Sequence, residues 1–168
     1  MGIAGIEGCR LRLGQGGIPP TPHDERQAVM TVSSAQAHWE GSLMDGKGEI
    51  EFLSSALGSV EVDWKSRAGD GTTTTPEELI AAAHSACYSM ALSHALAGNG
   101  TPPAQVDTKA DVTFVPGEGI TGIQLTVRAS VPGLSAEQFA TFAQNAKTGC
   151  PVSAALTGTT ITLDAALV

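Results

Sequence analysis

From Ala35 the chain alternates apolar and polar residues with the period of a strand. AQAHWEGSL and GEIEFLS flank the turn MDGKG and predict a hairpin. Val60, Val62 and Trp64 alternate with Glu61 and Asp63 as a third strand, and the loop SRAGDGTTTT follows. The next stretch, TPEELIAAAHSACYSMALSHALAG from Thr75 to Gly98, has a different character. Thr75 is an N-cap, Pro76 fits the first helical position, and Glu78 completes a capping box. Gly98 and Gly100 stop the helix. Between Leu79 and Leu96 there is no Lys, Arg, Asp or Glu, and Ala81, Ala82, Ala83, Ser85, Ala86, Ser89 and Ala91 are small. A helix without a charged face is expected to be buried all round. At about 1.5 Å per residue it spans roughly 33 Å, the width of a small domain.

Beyond it, Val106, Thr108, Ala110, Val112 and Phe114 alternate with polar residues, and PGEGI turns the chain. Ile123, Leu125, Val127, Ala129 and Val131 then alternate with Gln124, Thr126, Arg128 and Ser130, so both stretches are strands with one dry face. PGLSAEQFATFAQNAKTG predicts a helix capped by Ser135 and Gln138, with Phe139, Phe142 and Ala146 on one face and Gly149 at its end. Cys150 stands at a break, Pro151 starts a short helix, and TTITLDAALV closes the domain as a strand. The order is β-β-β-α-β-β-α-α-β, an α+β chain with no βαβ alternation of the parallel kind.

Residues 1–29 stand apart. They are rich in Gly and Pro, lack periodicity, and precede a methionine that is followed at once by strand-like sequence. The expected organisation is an extension over 1–29, outside the core, and a single domain over 30–168. Cys9 then lies in a tail and has no role.

Composition narrows the function. The 168 residues suffice for one domain with a core, and the net charge of -8 argues against nucleic acid and anionic membrane. No apolar run is pure enough to span a bilayer, since the central helix carries His84 and His94. With no signal-like segment at the N-terminus, the expected compartment is the cytoplasm. No nucleotide-binding glycine motif occurs, and no cysteine lies in a C-x-x-C pair that suggests structural zinc.

The chemistry candidates are therefore thiols. Cys87 lies inside a helix and is held in place, whereas Cys150 lies at a helix break where backbone can swing. That division suits an attacking and a resolving thiol. By residue type alone, two buried thiols acting as small hydrophobes is the simpler reading. A free thiol is only a few per cent ionised at neutral pH, and Cys87 is too far from its helix N-terminus for the dipole to help. A cation is needed, and Arg67 in the preceding loop is the nearest candidate in sequence. His84, three residues before Cys87, raises a Cys–His dyad and acyl chemistry, although a satisfied core histidine fits better. Trp39, Trp64, Tyr88 and Phe114 read as core or pocket wall.

P-E-E-L-x-x-A-A-H-x-A-C followed by C-P-V-S, with QAHWEGSLMDGKG and VDWKSR upstream, resembles the osmotically inducible protein C / organic hydroperoxide resistance (OsmC/Ohr) family. The likeness runs from about Ala35 to the C-terminus, and CPVSAAL and AHSACYSMALS are closer to the OsmC branch. It implies an OsmC-like α+β fold, an intertwined homodimer with active sites at the subunit interface, and a thiol-dependent peroxidase that prefers organic hydroperoxides, in oxidative and osmotic stress defence. It implies that Cys87 is the peroxidatic cysteine, Cys150 the resolving cysteine, Arg67 the activating arginine and Glu77 the carboxylate that holds it. It implies a dithiol reductant and no metal or organic cofactor. The rival readings are a cysteine acyl hydrolase using Cys87 and His84, and a non-catalytic dimeric binding protein on the same fold.

Overall fold

The alternating stretches form two three-stranded sheets in the computed structural model, which describes residues 30–168, with a body from Ser33 to Val168. The expectations for residues 1–29 and Cys9 lie outside the described residues. In the first sheet, β1 (Ala35–Glu40), β2 (Lys47–Phe52) and β3 (Gly58–Val62) pair antiparallel in sequence order. The alternation suggests that the third strand reaches Trp64, but it ends at Val62. The Asp63 carboxylate accepts the Ser66 amide at 2.6 Å and caps a one-turn helix, α1 (Trp64–Arg67). A cap that satisfies a free amide outweighs two more residues of alternation.

The central helix, α2 (Pro76–Gly98), is unbroken. Thr75 Oγ1 accepts the Glu78 amide at 3.1 Å, but the Glu78 carboxylate accepts the Thr74 hydroxyl instead of the N-cap amide. Its expected capping box is thus half formed. At the other end Gly100 takes φ +81, and the Thr101 amide reaches back to the Leu96 carbonyl at 3.0 Å. That left-handed position is why a glycine stands there. Within one chain α2 buries a single stripe, Glu77, His84, Tyr88, Leu92 and Leu96. Ala82, Ala83, Ala86 and Met90 remain exposed, so the charge-free face is only partly covered by its own chain.

The second sheet holds β4 (Gln105–Val115), β5 (Gly119–Ser130) and β6 (Thr160–Leu167) in that order. β4 and β5 are an antiparallel hairpin, while β5 and β6 are parallel. The expectation of no parallel βαβ unit is corrected here. α3 (Ala136–Gly149) and α4 (Pro151–Ala155) together give the connection enough length to cross back over the sheet. α3 carries a complete capping box between Ser135 and Gln138.

The core lies between this sheet and α2 and α3. Leu125, Val127 and Ala129 of β5 meet Tyr88, Leu92 and Leu96 of α2 and Phe139, Ala143 and Ala146 of α3. Each large side chain buried this way contributes about 1.5–3 kcal/mol. The Tyr88 hydroxyl donates to the Ala143 carbonyl at 2.9 Å and ties α2 to α3. Among the described residues, no helix is long and apolar enough to cross a membrane.

Candidate functional site

Cys150 is the hinge on which the first half of the site is built. It ends α3 and caps α4, with extended backbone between two helical turns, because Pro151 disfavours helix in the residue before it. Its side chain is fully buried against α2, where Cys87 comes up from the helix middle. The two sulfurs are 3.1 Å apart, although the residues are 63 positions apart in sequence, and both are free thiols. A disulfide needs about 2.05 Å, so closure takes roughly 1 Å of movement at a helix break.

Burial pushes the Cys87 thiol up, and the neighbouring Cys150 adds to this, with only the Val152 amide working the other way. Burial also opposes ionisation of Cys150. The Ser153 amide, the Cys87 thiol, the Ser153 hydroxyl and the Val152 amide together outweigh it and hold Cys150 below the usual thiol value. Among the described residues, no cationic side chain is one of the groups that shift Cys87.

Arg67 and Glu77 form the second half. α1 is locked against the start of α2 by Ser66, whose hydroxyl receives the Thr73 amide at 2.9 Å and meets the Thr73 hydroxyl at 2.7 Å. A Cβ on Gly71 would run into the Ser66 hydroxyl and backbone, so the loop closes this tightly only with glycine there. Arg67 then reaches Glu77 with two nitrogens, Nη2 at 2.8 Å and Nε at 3.1 Å from Oε1. The Glu77 side chain is 8% exposed and the Arg67 side chain 33%. The guanidinium also lies 4.2 Å from the Phe114 ring centre and 5.9 Å from that of Trp64. Two hydrogen bonds and an aromatic face leave it little freedom.

Within one chain the structure therefore brings the four residues together as two pairs. Glu77 and Cys87 sit ten residues apart on one unbroken helix, about 15 Å along its axis. Each pair has an apolar hollow beside it. One of about 520 Å³ is lined by Cys87, Met90, Ala91, His94, Ala146 and Pro151. The other, of about 220 Å³, is lined by Trp39, Leu43, Ile50, Val62, Trp64 and Arg67. Among the described residues no cluster of His, Cys, Asp or Glu is arranged to hold a metal ion.

His84 does not pair with Cys87. Its Nε2 lies 2.8 Å from the Ser153 hydroxyl, 69 positions along the chain, and its Nδ1 has no partner among the described residues. Ser153 is the residue that sequence reasoning missed. Its place is the third residue of the short helix that starts after Cys150, and its hydroxyl turns to His84 of α2.

The α+β domain sets two free thiols face to face, one on a helix and one at a helix corner, the arrangement that dithiol redox chemistry requires. A family model described as "OsmC-like protein" matches residues 69–164. The chain is 44% identical over 139 residues to "Peroxiredoxin OsmC" of Escherichia coli (strain K12), covering 80% of this chain and 96% of the relative. Its fold resembles an organic hydroperoxide resistance protein OsmC from Legionella pneumophila, with a TM-score of 0.64, 24% identity, and 82% and 98% of the two chains covered. It also resembles an organic hydroperoxide resistance protein from Elizabethkingia anophelis, with a TM-score of 0.62, 22% identity, and 82% and 99% covered. This chain belongs to the OsmC family.

Proposed function

We propose that Cys87 is the thiol that reduces the hydroperoxide in this thiol-dependent peroxidase, and that Cys150 is the thiol that resolves it. The observation that carries the reading is the 3.1 Å approach of the two sulfurs. The Cys87 thiolate attacks one peroxide oxygen and the O–O bond breaks. The alcohol leaves with a proton, and Cys87 is left as a sulfenic acid. Cys150 sulfur then attacks Cys87 sulfur, water departs, and a dithiol reductant reopens the disulfide in two exchange steps. The apolar hollow beside Cys87 suits an alkyl hydroperoxide better than hydrogen peroxide.

The active unit is a homodimer in which each site takes its thiols from one chain and its Arg67–Glu77 pair from the other. Two observations support this. Among the described residues no cation of the same chain acts on Cys87, while a rigidly held arginine stands elsewhere on that chain. The exposed Ala82, Ala86 and Met90 on α2, and Trp39, Leu43 and Met44 around the first sheet, form apolar surface that a second copy would cover. A charge at about 4 Å in a half-screened site supplies roughly 4 kcal/mol, enough to lower a thiol pKa by about 3. A reducing compartment, the cytoplasm, keeps the disulfide transient.

The deciding assay is consumption of cumene hydroperoxide with a dithiol, wild type against Cys87→Ser. Loss of turnover in the variant is expected, and an equally active Cys87→Ser chain would sink the assignment. The rival acyl hydrolase needs Cys87 with His84, and His84 is bonded to Ser153 instead.

A further inference from the structure

The thiol pair is one of two contacts between the same two segments. His84 stands three residues before Cys87 on α2, and Ser153 stands three residues after Cys150 on α4. His84 Nε2 lies 2.8 Å from the Ser153 hydroxyl, and Cys87 Sγ lies 3.1 Å from Cys150 Sγ. The two contacts are therefore successive rungs between segments that run in opposite directions. Both residues of the first rung are buried, His84 completely.

The short helix depends on that rung. α4 has five residues and no side-chain bond at its N-cap, and a helix this short does not hold itself. The other arm of the corner is fastened to the same face of α2. Tyr88, one turn beyond His84, donates its hydroxyl to the Ala143 carbonyl of α3. Cys150 lies between the two fastenings, and its backbone is bonded into both arms. Its amide donates to the Ala146 carbonyl at 2.9 Å, and its carbonyl accepts the Ala154 amide at 3.0 Å. Where Ser153 is held therefore fixes where the Cys150 sulfur stands.

His84 is the donor in its rung. Burial keeps the ring neutral, with one proton on one nitrogen. Nδ1 is buried with no hydrogen-bond partner among the described residues. A proton there would strand a buried N–H, which is rarer and costlier than an unused acceptor. The proton therefore sits on Nε2 and is donated to Ser153 Oγ.

We propose that His84 and Ser153 are positioning residues for the resolving step: their hydrogen bond clasps α4 to α2 and so holds Cys150 within reach of Cys87. This rests on the reading that Cys150 resolves the Cys87 sulfenic acid. In that step the Cys150 sulfur attacks the Cys87 sulfur, and the S–S bond forms as the S–O bond breaks. The departing hydroxide takes up the proton that Cys150 gives up and leaves as water. The oxidising equivalents come from the peroxide already consumed. Reacting atoms held at about 3–3.5 Å are spared the search that a loose corner would repeat at every turnover.

The test uses the full-length chain with Cys9→Ser, so that Cys87 and Cys150 are its only thiols. After one equivalent of cumene hydroperoxide, the Cys87 sulfenic acid is trapped with dimedone at successive times. It should live about ten-fold longer in Ser153→Ala and in His84→Leu, the worth of one buried hydrogen bond, while the first peroxide is consumed at the wild-type rate. The double variant should be no slower than either single one, because both remove the same bond. His84→Gln, whose amide N–H reaches the place of Nε2, should resolve at the wild-type rate. A second arm uses no peroxide. In dithiothreitol buffers the Cys87–Cys150 disulfide of Ser153→Ala should be about ten-fold easier to reduce, since a bond that favours the disulfide is favoured by it in return. A wild-type lifetime in Ser153→Ala, a His84→Gln chain no better than His84→Leu, additive losses in the double variant, or an unmoved dithiothreitol equilibrium overturns the proposal. If His84→Leu does not fold, the other two decide: Ser153→Ala must lengthen the lifetime and His84→Gln must not. If no chain forms a sulfenic acid, the peroxidase reading fails, and the dithiothreitol arm still decides the clasp.

Discussion

Cys87 and Cys150 face each other at 3.1 Å, one fixed inside α2 and the other on the turn between α3 and α4. One sulfur is held and the other can move, so closure should happen within a chain and ahead of any bridge between chains. Peptide mapping after one equivalent of peroxide is expected to return a Cys87–Cys150 linkage. A Cys87–Cys9 bridge, or interchain bridges alone, would exclude this. Cys150→Ser should still consume about one equivalent of peroxide per chain and then stall as the sulfenic acid.

Burial sets a pH limit on the fold through His84. Its pKa in the folded chain is lowered from 6.5, so the folded state holds the ring neutral where the unfolded chain protonates it. The unfolded state then binds more protons, and stability falls as pH drops from about 6.5 toward the lowered folded value. The loss is at most about 1.4 kcal/mol per pH unit within that window. Urea midpoints measured at pH 7.5 and 5.5 check it. The drop should be smaller in His84→Gln than in wild type, and an equal drop would remove His84 from the account.

The helix of small residues was legible because its ends carry Thr75–Pro76 and Gly100 and its body lacks any charged side chain. The thiols were legible by type and place, and their meeting needed the fold, since Cys150 reaches Cys87 only through a crossover that the alternation pattern does not announce. α1 was hidden for a local reason: Asp63 reads as the polar member of a strand until its carboxylate is seen to cap Ser66. Ser153 was hidden for a tertiary one. A serine on a short helix is ordinary until His84 arrives from α2.

Residues 1–29 are expected to contribute little. They lack apolar periodicity, so there is no face for them to bury. A chain starting at Met30 should keep its melting temperature and peroxidase rate nearly unchanged. A large fall in either would show that the segment packs on the domain.

The proposed pairing of Arg67 with Cys87 has to bridge a gap, because Glu77, which holds Arg67, lies about 15 Å from Cys87 along one unbroken helix. Arg67 is spoken for by Glu77 of its own chain and by the ring of Phe114, so it has no slack to swing toward its own Cys87. Under the proposed homodimer, a two-fold axis that laid one α2 across another would bring each Arg67–Glu77 pair to the other chain's Cys87, and the small exposed residues Ala82, Ala83 and Ala86 would let the helices approach. Arg67→Ala should raise the Cys87 pKa, seen as a shift in alkylation rate against pH, and slow peroxide reduction at least ten-fold. An unchanged profile would remove the arginine from this role. Mixed dimers of Cys87→Ser and Glu77→Ala chains decide the arrangement. If the halves come from different chains, one site in the mixed dimer has both native residues and the other has neither, so activity partly recovers. If they come from the same chain, both sites are damaged, and a mixed dimer as inactive as its parents would reject the trans arrangement.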